Sequence, residues 1–334
     1  MQFQILEEND LSKLITKREG EIKLGEKIEL AKADLLSTLK ESQSLFVLFG
    51  IPEDIGPRAN CGRGGADSTW KPFLAKFLNI QSTQKLSGEE ILLLGNFDFS
   101  GLVGSGSSDL EKLRTAVSKI DEQVSSLVKL IVEAGKIPIL IGGGHNNSYG
   151  ALKGCSEALK QKINCINLDP HADYRNLEGR HSGNGFSYAK AEGYLDHYSI
   201  LGLHENYNSQ AMLEQMQKDG VQFSFYEDLF LRNNTPYYLA VENALAKVKE
   251  DYFGVELDCD SIENLPSSAQ TPSGIRAKEA RQYLTLCGES KNACYLHLPE
   301  AAPSLVEGFA DQVGKLLSYF VSDFVKAKLN TLNA

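Results

Sequence analysis

The sequence predicts a three-layer α/β/α fold with a mostly parallel sheet of about eight strands. Short runs rich in Val, Ile, Leu and Phe alternate along the chain with longer amphipathic segments, and this alternation is typical of parallel α/β sheets. Most of the runs are apolar throughout, as expected for strands that helices cover on both faces. The eight runs are SLFVLFG (44–50), EILLLGNFDF (90–99), KIPILIG (136–142), KINCINLD (162–169), YSILGLH (198–204), VQFSFY (221–226), YFGVELD (252–258) and ACYLHL (293–298).

The clearest helical pattern is SSDLEKLRTAVSKIDEQVSSLVKLIVEAG (107–135). Its apolar residues recur at intervals of three or four, behind a Ser/Asp start and before Gly135, which indicates a helix with one buried face. Residues 1–43 differ, because Lys and Glu dominate and apolar residues keep only a loose helical spacing. We expect a charged helical N-terminal extension (1–43) packed outside a single main domain (44–334), since no repeat or linker divides the chain.

Composition excludes several classes of protein. The chain has 334 residues, of which 42% are hydrophobic, so it can bury a large core. A net charge of -10 argues against a nucleic-acid partner. No run approaches the roughly 20 apolar residues that span a bilayer, and the N-terminus lacks the pattern of a signal peptide. Six scattered cysteines without a CxxC pair are typical of reduced thiols. We therefore expect a cytoplasmic protein with no membrane partner.

Three of the predicted strands end in side chains that commonly bind metals. The carboxyl ends of parallel strands meet at one edge of a sheet, where rigid strands support the loops. Residues two apart in extended backbone point the same way, so that such pairs can converge on one site. The candidate ligands are His145 after KIPILIG, Asp169, His171 and Asp173 after KINCINL, and Asp258 and Asp260 after YFGVEL.

This set of donors favours a pair of divalent ions. Carboxylate oxygens dominate and no thiolate is placed to join them, which favours Mn²⁺ over zinc. Without cations, carboxylates about 4 Å apart would repel each other by roughly 4 kcal/mol per pair at an effective dielectric near 20. Each element alone has a simpler interpretation: Asp258 and Asp260 as helix caps or turn residues, His145 as a packed histidine, and DPHAD as a turn. Their coincidence at three strand ends favours the metal site.

The order of these motifs resembles the arginase, agmatinase and formimidoylglutamase family of ureohydrolases. The similarity extends from about residue 50 to residue 300. Within the family, GGGHNNSYG (142–150) and DPHADYR (169–175) followed by HSGNGF (181–186) look most like formimidoylglutamase. Further landmarks of the family are NCGRGGA (60–66), TPSG (271–274) and LPEAAP (298–303).

The resemblance implies an arginase-like catalytic domain with two Mn²⁺ ions. It implies hydrolysis of a linear amidine C–N bond, with N-formimidoyl-L-glutamate of histidine catabolism as the preferred substrate, by a hydroxide held between the ions. Asp173 would orient the hydroxide, and Glu300 would bind the amidinium end of the substrate. The implied ligand roles are Asp169 and Asp258 as bridges, His145 and Asp173 on one ion, and His171 and Asp260 on the other.

Several residues are candidates for the substrate side of the site. Arg175, Arg180 and Arg63 could each pair with a substrate carboxylate, because a guanidinium binds it with two prongs. Arg175 best matches the formimidoylglutamase pattern, whereas Arg63 could instead anchor its glycine-rich loop and Arg180 could be a surface charge. Ser182 stands where arginases and agmatinases carry a histidine, and with Asn184 it is expected to contact substrate. His181, one residue before it, is either a proton shuttle or a solvated loop histidine.

Two other functions stay open at this point. The substrate could be another amidine or guanidine, such as arginine, agmatine or a guanidino acid. A relative that keeps the metals but has lost turnover could instead serve as a binding or regulatory subunit. Retention of all six ligand positions favours an enzyme, since a pure binding protein has no need of paired metals. The family's tendency to form multimers also allows for a homo-oligomer.

Overall fold

The computed structural model describes residues 3–104 and 106–332, and it confirms the α/β/α class with a sheet of ten strands. The strands are β1 (Phe3–Ile5), β2 (Glu29–Leu30), β3 (Phe46–Gly50), β4 (Ile91–Phe97), β5 (Ile137–Ile141), β6 (Ile163–Leu168), β7 (Leu195–Leu203), β8 (Gln222–Phe225), β9 (Phe253–Leu257) and β10 (Ala293–Leu298). Their order is β1-β4-β3-β5-β10-β9-β6-β7-β8, and β2 pairs with β4 outside this path. Of these pairings, only β1 with β4 is antiparallel.

The eight predicted strands correspond to β3 through β10, and the N-terminal segment adds two more. β1 and β2 both pair with β4. We expected a helical extension over residues 1–43, but this segment also contains these two strands. Two short helices, α1 (Glu8–Leu14) and α2 (Leu35–Glu41), occupy other parts of this segment. Strands of three and two residues are too short to show an alternating pattern, which is why the sequence did not reveal them.

The longest predicted helix is confirmed as α5 (Leu110–Glu133). The Asp109 side chain caps it by accepting a hydrogen bond from the backbone N–H of Lys112 at 3.2 Å. Gly135 follows the helix in a left-handed conformation, with φ of 74°. The other helices are α3 (Ile55–Ala59), α4 (Trp70–Phe77), α6 (Asn147–Leu159), α7 (Gly185–Ala191), α8 (Gln210–Lys218), α9 (Tyr237–Leu245), α10 (Ala277–Gly288) and α11 (Ala310–Leu332).

The helices bury two cores, one on each face of the sheet. Helices α4, α9, α10 and α11 supply one core, whose members include Phe73 and Phe320. Helices α5, α6 and α8 supply the other, with Val124, Leu152 and Met216. Within the described residues, no helix is both long and apolar enough to cross a membrane.

Four neighbouring strands at the centre of the sheet position the candidate site. β5, β10, β9 and β6 lie side by side, and the loops after them carry the ligands predicted from the sequence together with Glu300. Gly142 and Gly143 turn the chain away from β5 with φ of 83° and 75°. A Cβ on Gly143 would lie 2.8 Å from the backbone oxygen of Ile51. Only glycine fits this turn, which delivers His145 to the site.

Candidate metal centre

His145 lies at the centre of a group of donors that are buried except for Asp173, which is partly exposed. Its Nδ1 atom is 2.9 Å from Asp173 Oδ2, 3.0 Å from Asp258 Oδ2 and 3.1 Å from Asp169 Oδ2. One ligand atom from each of these residues lies within 4.8 Å of all the others. One imidazole and three carboxylates converging on a point fit a divalent cation of the manganese or zinc type. We call this group the first metal position.

A second position lies beside the first and opens toward the surface. His171 Nδ1 is 3.8 Å from Asp169 Oδ1 and 3.9 Å from Asp260 Oδ2. Asp169 therefore turns one oxygen toward each position. The side chain of His171 is 28% exposed, whereas that of His145 is fully buried. Together the two positions form a candidate binuclear metal centre.

Hydrogen bonds hold the carboxylates in place from behind. Asp169 Oδ1 accepts from the backbone N–H of His171 at 2.7 Å, and its Oδ2 accepts from Asn167 Nδ2 at 2.9 Å. Asp258 Oδ1 accepts from the backbone N–H of Asp260 at 2.6 Å. These bonds use part of the acceptor capacity of each carboxylate and fix its rotamer, so that the remaining lone pairs face the two positions.

The electrostatics of this cluster call for cations. Burial, with the neighbouring charge of Asp169, raises the pKa of Asp173 and raises that of Asp258 well above its usual value. Burial alone would lower the pKa of His145, but hydrogen bonds to the surrounding carboxylates outweigh it and hold that pKa well above normal. These carboxylates are therefore costly to bring together in ionised form unless positive charge lies between them. The residues fit two divalent ions in both donor type and charge.

Two residues of the site adopt left-handed backbone conformations. Asp173 has φ of 46° and Glu300 has φ of 66°, values that cost free energy in residues other than glycine. Asn208 braces the Asp173 loop: its Oδ1 accepts from the backbone N–H of Ala172 at 2.9 Å, and its Nδ2 donates to the Pro170 carbonyl at 3.0 Å. Such strain persists only where the surroundings enforce it, which is typical of functional sites.

A cavity of about 600 Å³ opens directly onto the centre. Asp173, Asp258, Asp260 and Glu300 form its acidic side. Among the described residues that line it, Arg175 carries the only guanidinium. Its other lining residues include Asn60, Asn176, Ser182, Tyr207, Met212 and Gln215. The cavity therefore combines an acidic, metal-binding end with a single fixed positive charge.

Glu300 lies at the boundary between the metal ligands and the cavity. Its Oε1 accepts a hydrogen bond from the backbone N–H of His145 at 2.7 Å. Its Oε2 is buried and has no hydrogen-bond partner within the described part of the chain. Burial and the nearby charge of Asp260 raise its pKa well above normal. A cationic ligand in the cavity would both pair with this oxygen and favour its ionised form.

Three of the predicted site residues form a buried scaffold behind the cavity wall. Arg180 donates from Nε to Asp121 at 2.8 Å and also bonds Asn184 and the Asn146 carbonyl. Asn184 is fully buried, and its side-chain amide forms hydrogen bonds with Arg180 and with backbone groups. His181 is also fully buried, with burial lowering its pKa to about 4. None of the three lines the cavity. The substrate contacts expected for Arg180 and Asn184 and the shuttle role considered for His181 stay predictions.

Arg63 also binds protein groups and does not line the cavity. Its guanidinium donates to the backbone oxygens of Ser268 at 2.9 Å and Ser267 at 3.2 Å. These hydrogen bonds are those of the anchoring role, and the substrate contact considered for Arg63 stays a prediction. The neighbouring Ala269 donates its backbone N–H to Asp260 Oδ1 at 2.9 Å. Arg63 thus steadies a loop that in turn supports a metal ligand.

Other residues at the site escaped sequence reasoning. Tyr207 stacks on His171 with ring centroids 5.3 Å apart, and Asn60 Nδ2 lies 3.4 Å from Ser182 Oγ. Asn167 and Asn208 hold the aspartates and their loop as described above. Asn167 lies two residues before Asp169 on the same face of β6, a spacing that could have indicated it. Tyr207 and Asn208 follow β7, a strand whose end we did not assign to the site.

The fold and this centre define an arginase-like protein, and the chain belongs to the arginase family, whose model matches residues 45–317. It is 28% identical over 233 residues to the formimidoylglutamase of Streptococcus pyogenes serotype M3 (strain ATCC BAA-595 / MGAS315), an alignment that spans 66% of each chain. It is also 28% identical over 271 residues, 77% of each chain, to the formimidoylglutamase of Streptococcus pyogenes serotype M12 (strain MGAS2096).

Solved structures share the fold. Formiminoglutamase from Trypanosoma cruzi with Mn²⁺₂ superposes with a TM-score of 0.73 at 21% identity, covering 92% of this chain and 98% of that one. Formimidoylglutamase from Bacillus subtilis gives 0.76 at 17% identity, covering 95% of both chains. Proclavaminate amidino hydrolase from Streptomyces clavuligerus gives 0.69 at 17% identity, covering 87% of this chain and 94% of that one.

Proposed function

We propose that this protein is a binuclear manganese hydrolase that cleaves N-formimidoyl-L-glutamate to L-glutamate and formamide. The observation that carries the proposal is the convergence of two imidazoles and four carboxylates at the ends of neighbouring strands, beside a cavity. The curated relatives that bear the name formimidoylglutamase support the choice of substrate. Carboxylate-rich donors support manganese.

Within this proposal the metal ligands divide into two sets. His145 and Asp173 would hold one ion, His171 and Asp260 the other, and Asp169 and Asp258 both. When bound, two such ions lower the pKa of a shared water and so supply a nucleophile at neutral pH. Asp173, which is partly open to the cavity, would accept a hydrogen bond from that nucleophile and orient it toward the amidine carbon.

Glu300 and Arg175 would bind opposite ends of the substrate. The free Oε2 of Glu300 is an acceptor for the amidinium N–H groups. Arg175 is exposed at the cavity, and its guanidinium makes no ion pair within the described part of the chain. It can therefore pair with a carboxylate of the glutamate moiety. Ser182, which also lines the cavity, can add a hydroxyl hydrogen bond.

A substrate screen tests this function. Protein stripped with a chelator and reloaded with Mn²⁺ would be given formimidoylglutamate, arginine, agmatine and a guanidino acid, and release of formamide or urea would be measured. We expect the highest kcat/KM with formimidoylglutamate, and no turnover by the metal-free protein. Higher turnover of a guanidine would reassign the substrate. No turnover of any compound despite two bound ions would favour a non-catalytic binding protein.

A further inference from the structure

A second polar cluster lies inside the sheet, behind His145 and away from the cavity. It consists of Glu256 on β9 and Tyr295 and His297 on β10, all fully buried. Glu256 points to the same face of its strand as Gly254 and Asp258, because residues two apart share a face. A side chain at position 254 would collide with the ring of Tyr295. The glycine thus makes room for the tyrosine, which reaches over to Glu256.

Both oxygens of the Glu256 carboxylate accept hydrogen bonds from the other two members of the cluster. Oε1 accepts a hydrogen bond from the hydroxyl of Tyr295 at 2.7 Å. Oε2 accepts one from Nδ1 of His297, also at 2.7 Å. The same Oε2 lies 3.4 Å from Nε2 of His145. This separation is long for a hydrogen bond, so the attraction between the two groups is chiefly electrostatic. Nε2 of His145 has no other partner within the described part of the chain.

Burying the Glu256 carboxylate costs free energy, which indicates that its charge has a function. Removing a charge from water costs several kcal/mol even after relaxation, by order of magnitude. The two hydrogen bonds recover part of that cost, but an uncharged side chain could accept from the same donors. What only a carboxylate supplies is negative charge facing the edge of His145 opposite to the three aspartates. Metal-binding histidines commonly donate their other ring N–H to such a group.

We propose that Glu256 is a positioning residue for the first metal position, which keeps the His145 proton on Nε2 and leaves the Nδ1 lone pair free for the ion. The inference rests on the proposed metal centre and assigns part of its affinity to a residue outside the ligand set. Tyr295 and His297 serve it indirectly by fixing the rotamer of the Glu256 carboxylate. The second metal position, built around His171, has no contact with this cluster in the structure and should not depend on it.

Three variants separate this role from simple packing. Glu256→Gln keeps the size but loses the charge, and its amide N–H₂ can face Nε2 and favour the wrong tautomer of His145. Glu256→Asp keeps the charge but leaves a small void. Tyr295→Phe is the matched control, because it removes one hydrogen bond from the cluster and leaves the carboxylate facing His145. A positioning role ranks Asp above Gln in metal affinity, whereas a packing role ranks Gln above Asp.

The test is Mn²⁺ titration of the chelator-stripped full-length proteins, with free ion measured by electron paramagnetic resonance and folding by thermal melts without metal. We expect Glu256→Gln to weaken one of the two ions by about 10- to 100-fold and to leave the other unchanged. Glu256→Asp should recover part of the loss, and Tyr295→Phe should stay close to wild type.

Wild-type affinity for both ions in Glu256→Gln, or a weaker ion in Glu256→Asp than in Glu256→Gln, would overturn the inference while leaving the proposed function intact. A wild-type protein that binds no Mn²⁺ would overturn both. If Glu256→Gln does not fold, Glu256→Asp against Tyr295→Phe decides: the inference requires Glu256→Asp to keep two ions, one at most slightly weakened, and loss of either ion contradicts it.

Discussion

The two halves of the segment 169–184 have similar polar composition but opposite orientations. In the first half, Asp169, Asp173 and Arg175 face the metal positions or the cavity. In the second half, Arg180, His181 and Asn184 turn inward and bond to one another and to backbone. Of that half, Glu178, Ser182 and Gly183 line the cavity. Residue types alone therefore do not distinguish a binding surface from the scaffold that supports it.

The side chains of the second half turn inward because residues of other elements form an ion pair and ring contacts with them. Asp121 on α5 pairs with Arg180, and the rings of Tyr149 and Tyr188 lie 4.8 and 4.9 Å from its guanidinium carbon. These partners are distant in sequence, so no local sequence pattern predicts the contacts. In the first half Asn208 holds the backbone at Pro170 and Ala172, while the side chains of Asp173 and Arg175 line the cavity.

The largest effect is expected at the first half. Asp169→Asn replaces a carboxylate that faces both metal positions, so both ions should be lost together with activity. Since loss of a mere supporting group costs about 10- to 100-fold in metal affinity, loss of this ligand should cost more than that. Metal content after dialysis, measured by inductively coupled plasma emission, checks it. Asp251→Asn, at the opposite end of β9, is the control and should keep both ions. Two ions in Asp169→Asn would contradict the ligand assignment.

The second half should respond through stability. Arg180→Ala leaves Asp121 buried and unpaired, which typically costs about 3–5 kcal/mol in free energy of unfolding. Urea denaturation measures this loss. Arg232→Ala is the matched control: Arg232 pairs with Glu205 at 2.7 Å but is half exposed, so its loss should cost less than about 1 kcal/mol. If both variants lose equally little, the buried scaffold does not hold the second half as described.

Arg175→Ala should change substrate binding and leave the stability of the fold nearly unchanged. The side chain is exposed and makes no ion pair within the described residues, so unfolding free energy should change by less than about 0.5 kcal/mol. Loss of a charged pair with substrate should raise KM for formimidoylglutamate by about 10- to 100-fold, with both ions retained. Arg175→Lys should fall between, because it keeps the charge but not the fork. An unchanged KM in Arg175→Ala would move carboxylate binding elsewhere.

The sequence predicted those parts of the molecule that depend on local pattern. Eight strands and the helix α5 follow from apolar runs and periodicity, and the approach of the candidate ligands follows from their place at strand ends. The sequence did not reveal β1 and β2, which are too short to show a period. It also did not reveal the burial of Arg180 and His181, or the contact between Glu256 and His145. Each of these depends on partners that only the folded chain brings together.

His181 should contribute to the pH dependence of stability. Nδ1 of this histidine accepts a hydrogen bond from the backbone N–H of Gly183 at 3.1 Å, and Nε2 lies 3.2 Å from Glu178 Oε1. The neutral ring satisfies both contacts, and burial lowers its pKa to about 4. In the unfolded chain the pKa of this imidazole is about 6.5. Between the two pKa values the unfolded state therefore binds a proton that the folded state does not bind. Stability present above pH 6.5 is therefore lost as pH falls toward 4, by up to about 3 kcal/mol.

His181→Asn keeps an acceptor for the Gly183 N–H but cannot titrate. Urea unfolding of both chelator-treated proteins at several pH values between 7 and 4 isolates the contribution of His181, because the metal ligands titrate equally in both and cancel in the difference. The wild-type protein should lose more stability on acidification than the variant does. Parallel curves would mean that His181 takes up a proton in the folded state, and only then could a residue at this buried place exchange protons with the cavity.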